Sequence, residues 1–331
     1  MKEALFWQQE KERIRCLLCP HSCLLAPGQR GLCRGRENRE GKLIATTFGQ
    51  ITSCAVDPIE KKPLYHFLPG TKVLSVGTVG CNLRCNFCQN WEISQKDAPT
   101  QSLSPQELVA LALELKEQDP TLVGIAYTYS EPLVWYEYIK EAAQLGHQSG
   151  LHNILVSNGF INPQPLQELL PLIDAANIDL KAARDTFYHD YCGGSAAPPK
   201  ESAKLLWGKC HLELTCLLIP GVNDSAEEIS KLVDWIVTNL SPSVPLHLSR
   251  YFPNFKLQLP PTPLKTMELA LELAKEKLHY VYLGNVQNAD PDTYCHRCGS
   301  LVIKRREERK IELPDGKCPS CGEMLPVFLG A

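Results

Sequence analysis

The sequence has no apolar leader. Its first ten residues, Met-Lys-Glu-Ala-Leu-Phe-Trp-Gln-Gln-Glu, put charge and amides where a secretory signal would be hydrophobic. No apolar run reaches the roughly 20 residues that span a bilayer. A cytoplasmic protein without a membrane partner is therefore expected. An excess of one charge sign is also missing: 34 Lys and Arg stand against 37 Asp and Glu, for a net charge of −3. That leaves no global basic footprint, so nucleic acid is not an expected partner. These absences change what 15 cysteines mean. In a small exported chain they would read as disulfides. In 331 residues without an export signal they argue for metal ligation.

Eleven of the cysteines fall into three compact groups, and Cys54, Cys192, Cys210 and Cys216 are left over. Cys216 lies in an apolar run and reads as an inert buried thiol. The first group is Cys16, Cys19, Cys23 and Cys33, with turn residues Pro27, Gly28 and Gly31 before the last. Four thiols so close in sequence should hold one metal centre. Zinc needs only four tetrahedral sulfurs, whereas a second iron–sulfur cluster would serve as an electron relay, and the spacing leaves both open. His21, between these cysteines, could compete as a ligand but reads as a water-facing side chain. The last group, Cys295-His-Arg-Cys298-Gly and Cys318-Pro-Ser-Cys321-Gly, has two C-x2-C knuckles at zinc-ribbon spacing. Structural zinc would supply the folding energy that so small a tail lacks. Acids interrupt the basic run from Lys304 to Lys310, so that arm reads as a solvated face.

Between these groups, apolar strand-like runs alternate with amphipathic helical runs, the pattern of βα units around a parallel sheet. The strands are expected at 72–79, 121–127, 153–157, 175–181, 211–219, 245–251 and 279–283. Capping boxes at Ser104 and Ser225 open two of the helices. The others are expected at 132–145, 166–173, 201–207 and 264–278. A short strand is expected over 41–48. The stretch 57–70, with three prolines, reads as a loop leading into the barrel; Lys61, Lys62 and His66 could line the site, but a solvated loop is the default reading for such charges. Six units fall short of the eight that close a full barrel. The expected fold class is α/β: a partial, open (β/α)6 TIM-like barrel over 57–289, a Cys-rich segment over 1–56 and a zinc ribbon over 290–331. Sites in such sheets lie at the strand C-termini.

The middle cysteine group sits there. Gly80-Cys81-Asn-Leu-Arg-Cys85-Asn-Phe-Cys88-Gln-Asn-Trp91 follows the first apolar strand. Its odd number of thiolates matches three corners of a cubane iron–sulfur cluster and leaves one iron open. Phe87 would cover the flank of that cluster. The C-x3-C-x-aromatic-C array, with the flanking stretches 57–70 and 88–91, resembles the radical S-adenosylmethionine (SAM) protein of the AmmeMemoRadiSam system. That family is related to the pyruvate formate-lyase activating enzymes, and the resemblance runs through essentially the whole chain. It implies a radical SAM core with a [4Fe–4S] cluster on Cys81, Cys85 and Cys88 that binds SAM at the open iron. Reductive cleavage would then give methionine and a 5′-deoxyadenosyl radical that abstracts hydrogen, which makes the chain an oxidoreductase. It also implies an electron donor such as flavodoxin or ferredoxin. The substrate would be a protein, as for glycyl radical activases, a small molecule, or a residue held by Memo- or AMMECR-type partners.

Further expected SAM contacts lie at strand ends. Tyr129-Ser130-Glu131 stands where many relatives carry Gly-Gly-Glu; there Ser130 and Glu131 would serve the methionyl ammonium, although Glu131-Pro132 also suits a plain helix start. Ser157 and Asn158 suit ribose hydroxyls. Asp179 and Lys181 stand two apart, on one face. The loop 219–224 resembles the family's adenine-side loop, and His247, Arg250 and Asn285 are weaker candidates. The competing class is an iron–sulfur and zinc scaffold or electron carrier without SAM chemistry. Asp179, Lys181, Ser157 and Asn158 speak against it, because a carrier needs no nucleoside pocket.

Overall fold

The structure is a computed structural model that describes residues 2–306 and 309–330. Its centre is an eight-stranded sheet whose strands lie side by side in chain order. They are β1 (Ser53–Pro58), β2 (Lys72–Gly77), β3 (Leu122–Tyr127), β4 (His152–Ser157), β5 (Ala175–Asp179), β6 (His211–Leu218), β7 (Leu246–Arg250) and β8 (Val281–Gly284). From β2 onward every pairing is parallel, while β1 pairs antiparallel with β2. Helices α1 (Pro105–Gln118), α2 (Tyr136–Gln148), α3 (Pro163–Leu169), α4 (Ala197–Leu206), α5 (Ala226–Asn239) and α6 (Leu264–Lys275) fill the crossovers. The fold is thus α/β with an open, mostly parallel sheet. Strands covered on both faces are largely apolar: Val73, Leu74 and Val76 of β2 and Ala175, Ala176 and Ile178 of β5 are all buried.

The expected βα order is present, and the differences lie at its edges. Strand β1 was not expected, and it runs through residue 57, so the sheet begins before the anticipated domain boundary. The stretch 57–70 is mostly loop and Lys61 on it is exposed, but Lys62 and His66 are not solvated. It opens on the end of β1 and a 3-10 turn, Ile59–Lys61. Lys62 is buried and bonded to Asp57 at 2.9 Å. His66 is fully buried, 2.7 Å from the Tyr282 hydroxyl. The capping box at Ser104 is complete, with Glu107 closing it. At Ser225 only half of one forms: its hydroxyl accepts from Glu228 N, while the Glu228 carboxylate pairs with Arg184. The helix expected from residue 132 begins as a 3-10 turn, Pro132–Trp135.

The N-terminal segment folds as two small antiparallel sheets. One joins Trp7–Glu10, Arg13–Cys16 and Leu24–Leu25; the other joins Lys2–Glu3, Lys42–Ala45 and Arg36–Arg39. The tail holds Thr293–Tyr294, Leu301–Lys304 and Lys310–Ile311 in a third sheet; Glu307 and Glu308 of its charged arm lie outside the described residues. The tail docks at the N-terminal end of the main sheet. There Phe328 N donates to His66 O and Leu68 N to Phe328 O, both at 2.7 Å. The rings of Phe67 and Phe328 stack at 5.1 Å. The opposite edge, where the strands end, stays free for a site. Among the described residues no helix is long and apolar enough to cross a membrane.

Candidate functional site

Beyond β2 the chain turns at Gly80, with φ +101°. A Cβ there would lie 2.2 Å from Cys33 O, so only glycine fits this turn. The turn sends Cys81, Cys85 and Cys88 to the wall of a cavity of about 510 Å³ at the C-terminal ends of the strands. That volume is within the range of small-molecule sites. The loop is pinned from several sides. Asn82 Nδ2 donates to Phe160 O at 2.6 Å, Arg84 N to Cys192 O at 2.7 Å and Asn86 N to Tyr191 O at 2.9 Å. Leu83 N and Asn158 Nδ2 point at the Cys81 sulfur, at 3.3 and 3.5 Å. N–H donors on a sulfur suit a ligating thiolate. Burial pushes the Cys81 thiol well above its ordinary value; at Cys85 a hydrogen bond with Cys192 leads and burial adds. Such thiols keep their protons until a cation replaces them. In a multi-iron cluster each of these three sulfurs would bind a different iron. Phe87 is buried in the same wall and packs on Phe187. Cys192, a leftover in the sequence, is buried beside Cys85; only the fold brings the two together.

The end of β3 forms the second wall. Tyr129 has φ +71°, which a tyrosine adopts only under constraint. Its hydroxyl donates to Asp57 at 2.9 Å, the Lys62 ammonium sits 4.8 Å from its ring centre, and its carbonyl accepts from Asn90. Burial works to raise the Asp57 carboxyl, but Lys62 and Tyr129 hold it below its ordinary value. Ser130 donates to Thr78 O at 2.6 Å. Glu131 is buried and accepts from Ser157 Oγ at 2.7 Å, Asn158 N at 2.9 Å and Leu133 N at 2.9 Å. Burial pushes Glu131 up to about 7 against these donors. Glu131 therefore ties the end of β3 to that of β4 and also caps the following turn. Asn158 spends its amide on Cys81, Asn82 and Phe160 N.

At the end of β5, Lys181 Nζ bonds Asp179 at 2.8 Å and both line the cavity. Asp179 is the opener of the two, with its side chain 37% exposed against 13% for Lys181. Burial works against the Lys181 charge, yet Asp179 and the nearby sulfurs hold its pKa well above the ordinary value. Asn223 of the loop 219–224 donates to Lys181 O at 2.7 Å and so props this corner from behind. Not every candidate arrives here. His247 is buried against Glu213 at 2.6 Å, Arg250 donates to Thr262 O, and Asn285 reaches the rim only through Ser249. Lys61, Lys62 and Tyr129 line the cavity, as do Asp57, Thr215 and Ser249, which were not singled out as site residues from the sequence.

The tail cysteines behave differently. Ligand atoms of Cys295, Cys298, Cys318 and Cys321 all lie within 4.8 Å of one another, with two sulfur pairs at 3.6 Å. This set could hold one metal ion. Cys16, Cys19, Cys23 and Cys33 line a single small cavity together with His21 and Arg36. His21 does not face water: its Nε2 lies 2.7 Å from Asn82 O and its ring packs on Phe160.

Comparison with known proteins places this geometry. The family model described as the radical SAM superfamily matches residues 75–236, from within β2 to within α5. An uncharacterized protein of Methanocaldococcus jannaschii is 38% identical across 99% of this chain and 100% of its own length. The pyruvate formate-lyase-activating enzyme of Listeria monocytogenes is 28% identical over 51% of this chain and 71% of that enzyme. Among solved structures, a radical SAM methyltransferase from Sphaerobacter thermophilus superimposes with a TM-score of 0.51 over 70% of each chain at 17% identity, a likeness of fold alone. Motif, sheet and matches agree: residues 75–236 of this chain carry a radical SAM domain.

Proposed function

We propose that this protein is a radical SAM oxidoreductase whose [4Fe–4S] cluster, on Cys81, Cys85 and Cys88, cleaves SAM reductively. The observation that carries the reading is one cavity of about 510 Å³ lined by those three cysteines and by the polar ends of β3, β4 and β5. The cluster with SAM supplies the hard chemistry, a one-electron cleavage that yields a hydrogen-abstracting 5′-deoxyadenosyl group. The protein binds, orients and excludes water. Phe87, Val156 and Leu217 give the cavity its apolar surface. Asp179, half open and fixed by Lys181, offers a carboxylate to the amino or hydroxyl groups of SAM. Ser130 lies on the edge expected to meet the methionyl ammonium. Glu131, Ser157 and Asn158 act mainly by holding that edge in register, since their polar atoms are engaged with one another and with the cluster loop.

The flanking stretches 57–70 and 88–91 support membership of the AmmeMemoRadiSam branch, with a cytoplasmic location and a flavodoxin- or ferredoxin-type donor. Similarity to an activating enzyme supports a protein substrate, or one held by a Memo- or AMMECR-type partner. In the tail, sulfur pairs at 3.6 Å support structural zinc, because four sulfurs about 2.3 Å from a tetrahedral zinc stand about 3.8 Å apart. The test is anaerobic reconstitution followed by an assay for 5′-deoxyadenosine. Product that depends on reductant and SAM supports the reading, and a cluster-loaded protein that forms none overturns it.

A further inference from the structure

We infer that the corner of the cavity built by Asp57, Lys61, Lys62 and Tyr129 binds a carboxylate of the substrate, with Lys61 as the cation that receives it. The inference rests on the proposed function for there being a substrate beside SAM, but the corner itself stands on separate observations.

The first is that the corner is built and held. Asp57 belongs to β1 and lies opposite Val73 of β2, so its carboxylate is anchored on the sheet. The 3-10 turn Ile59–Lys61, closed by Lys62 N on Ile59 O at 2.9 Å, brings two lysines back to it. Lys62 Nζ stands 2.9 Å from Asp57 Oδ2, and the Tyr129 hydroxyl donates to the same oxygen at 2.9 Å. Lys61 Nζ stands 3.3 Å from Oδ1. Tyr129 passes so close to Gly77 that a Cβ there would lie 3.0 Å from Tyr129 Cβ and 2.7 Å from Thr128 O. Its φ of +71° is a strained angle for a tyrosine, and strain of this kind persists where the surroundings impose it, above all at ligand sites. All four side chains line the cavity.

The second is the distribution of charge. SAM carries a net positive charge, because its sulfonium and ammonium outweigh its one carboxylate. The wall expected to meet it, at the ends of β3 and β5, offers Glu131, Asp179 and Lys181, more acid than base. At the corner the balance is reversed, with two ammoniums against one carboxylate. A cationic cofactor has no use for that excess, whereas an anionic group of a second ligand does.

The third is what each ammonium has left to give. The Lys62 side chain is 5% exposed and committed to Asp57 and, at 4.8 Å, to the Tyr129 ring. Burial still holds it below its ordinary value, so a further anion nearby would favour its charged form. The Lys61 side chain is 68% exposed, and it meets Asp57 at the longer distance with one of its three N–H donors. One spare ammonium suits the single charge of a carboxylate better than the near-double charge of a phosphate. The corner makes and breaks no bond. It fixes one end of the substrate and so decides which part of it faces the cluster side of the cavity.

The test titrates the anaerobically reconstituted chain, without reductant, with acetate and succinate and with their neutral counterparts acetamide and succinamide, by ligand-observed NMR. A Gly-Glu-Gly peptide blocked at both ends, paired with its Gln counterpart, presents the same group on a polypeptide. At least one acid should bind about tenfold tighter than its amide and weaken as salt is added. Lys61→Met should weaken that acid about fivefold and Lys61→Glu tenfold or more; an exposed pair contributes little to stability, so both variants should fold. Binding of the free acids alone assigns a small organic acid, and binding of the peptide alone assigns a carboxylate on a protein; either upholds the corner. Acids that bind no better than their amides, or equally well to wild type and both variants, overturn it. An equal loss of SAM affinity in Lys61→Met places the ammonium with the cofactor and overturns it too. The failure modes are distinct. Acids that bind as expected to a chain that forms no 5′-deoxyadenosine sink the proposed function and leave the corner standing, and product from a chain that does not tell acids from amides does the reverse.

Discussion

Asp179 and Lys181 form a pair whose two halves are unequally buried, and this asymmetry predicts unequal variants. The Lys181 side chain is 13% exposed and the Asp179 side chain 37%. Breaking a fully buried pair costs about 3–5 kcal/mol, mostly for the charge left behind. Asp179→Asn leaves the less exposed ammonium without its counter-ion, so a loss of about 2–3 kcal/mol is expected, discounted for water on the Asp179 side. Lys181→Met leaves a carboxylate that water can reach, so about 1 kcal/mol is expected. SAM affinity should follow the same order, for a different cause. If the Asp179 carboxylate meets SAM, Asp179→Asn removes a charge-assisted contact and should weaken binding about tenfold or more, since 1.4 kcal/mol is a factor of ten. Lys181→Met should weaken it by less, through lost orientation. Urea denaturation gives the stabilities, and calorimetric titration of cluster-loaded, folded variants gives the affinities. Two variants that lose stability yet bind SAM as wild type does would reduce the pair to a structural bridge.

Three further outcomes follow from the same geometry. Glu131, pushed up to about 7 from an ordinary 4.5, favours the protonated folded state; its contribution is full below about pH 4.5 and is lost as pH rises through about 7. The stability difference between pH 5 and pH 8 should therefore shrink in Glu131→Gln, and an unchanged difference in urea melts would count against a buried, proton-holding Glu131. Gly80→Ala puts a Cβ against Cys33 O at a backbone angle alanine disfavours. It should cost at least about 2 kcal/mol and lower iron content; wild-type iron loading would refute the close approach. Cys318→Ala should remove about one zinc per chain and raise hydrogen exchange in residues 293–325 while leaving iron unchanged; unchanged zinc would dismiss the tail site.

What was legible in the sequence was local. Parallel strands buried on both faces are continuous apolar runs, so 72–77 and 175–178 stand out, and Ser104 with Glu107 marks a helix start by short-range chemistry. Charged residues inside irregular stretches were misread because their partners are remote or masked by prolines. Lys62 is buried only because β1 turns Asp57 toward it, and His66 only because β8 and the tail close over it. His21 looked solvated because its acceptor, Asn82, lies 61 positions away. Glu131 could be read as a cap or as a ligand from its neighbours alone; its bonds to Ser157 and Asn158 exist only once β3 and β4 are paired. Strand β1 escaped notice because Ser53, Cys54, Ala55, Val56, Asp57 and Pro58 carry little apolar alternation, and its antiparallel place at the sheet edge does not need it.

The proposed function stands on Cys81, Cys85 and Cys88 carrying the cluster that cleaves SAM. It is tested most directly by measuring 5′-deoxyadenosine from the anaerobically reconstituted, reduced chain and from the Cys81→Ala, Cys85→Ala, Cys88→Ala variant. SAM-dependent product is expected from the first and none from the second, with the variant still folded and retaining its tail zinc. Product from the triple variant at the wild-type rate would contradict it.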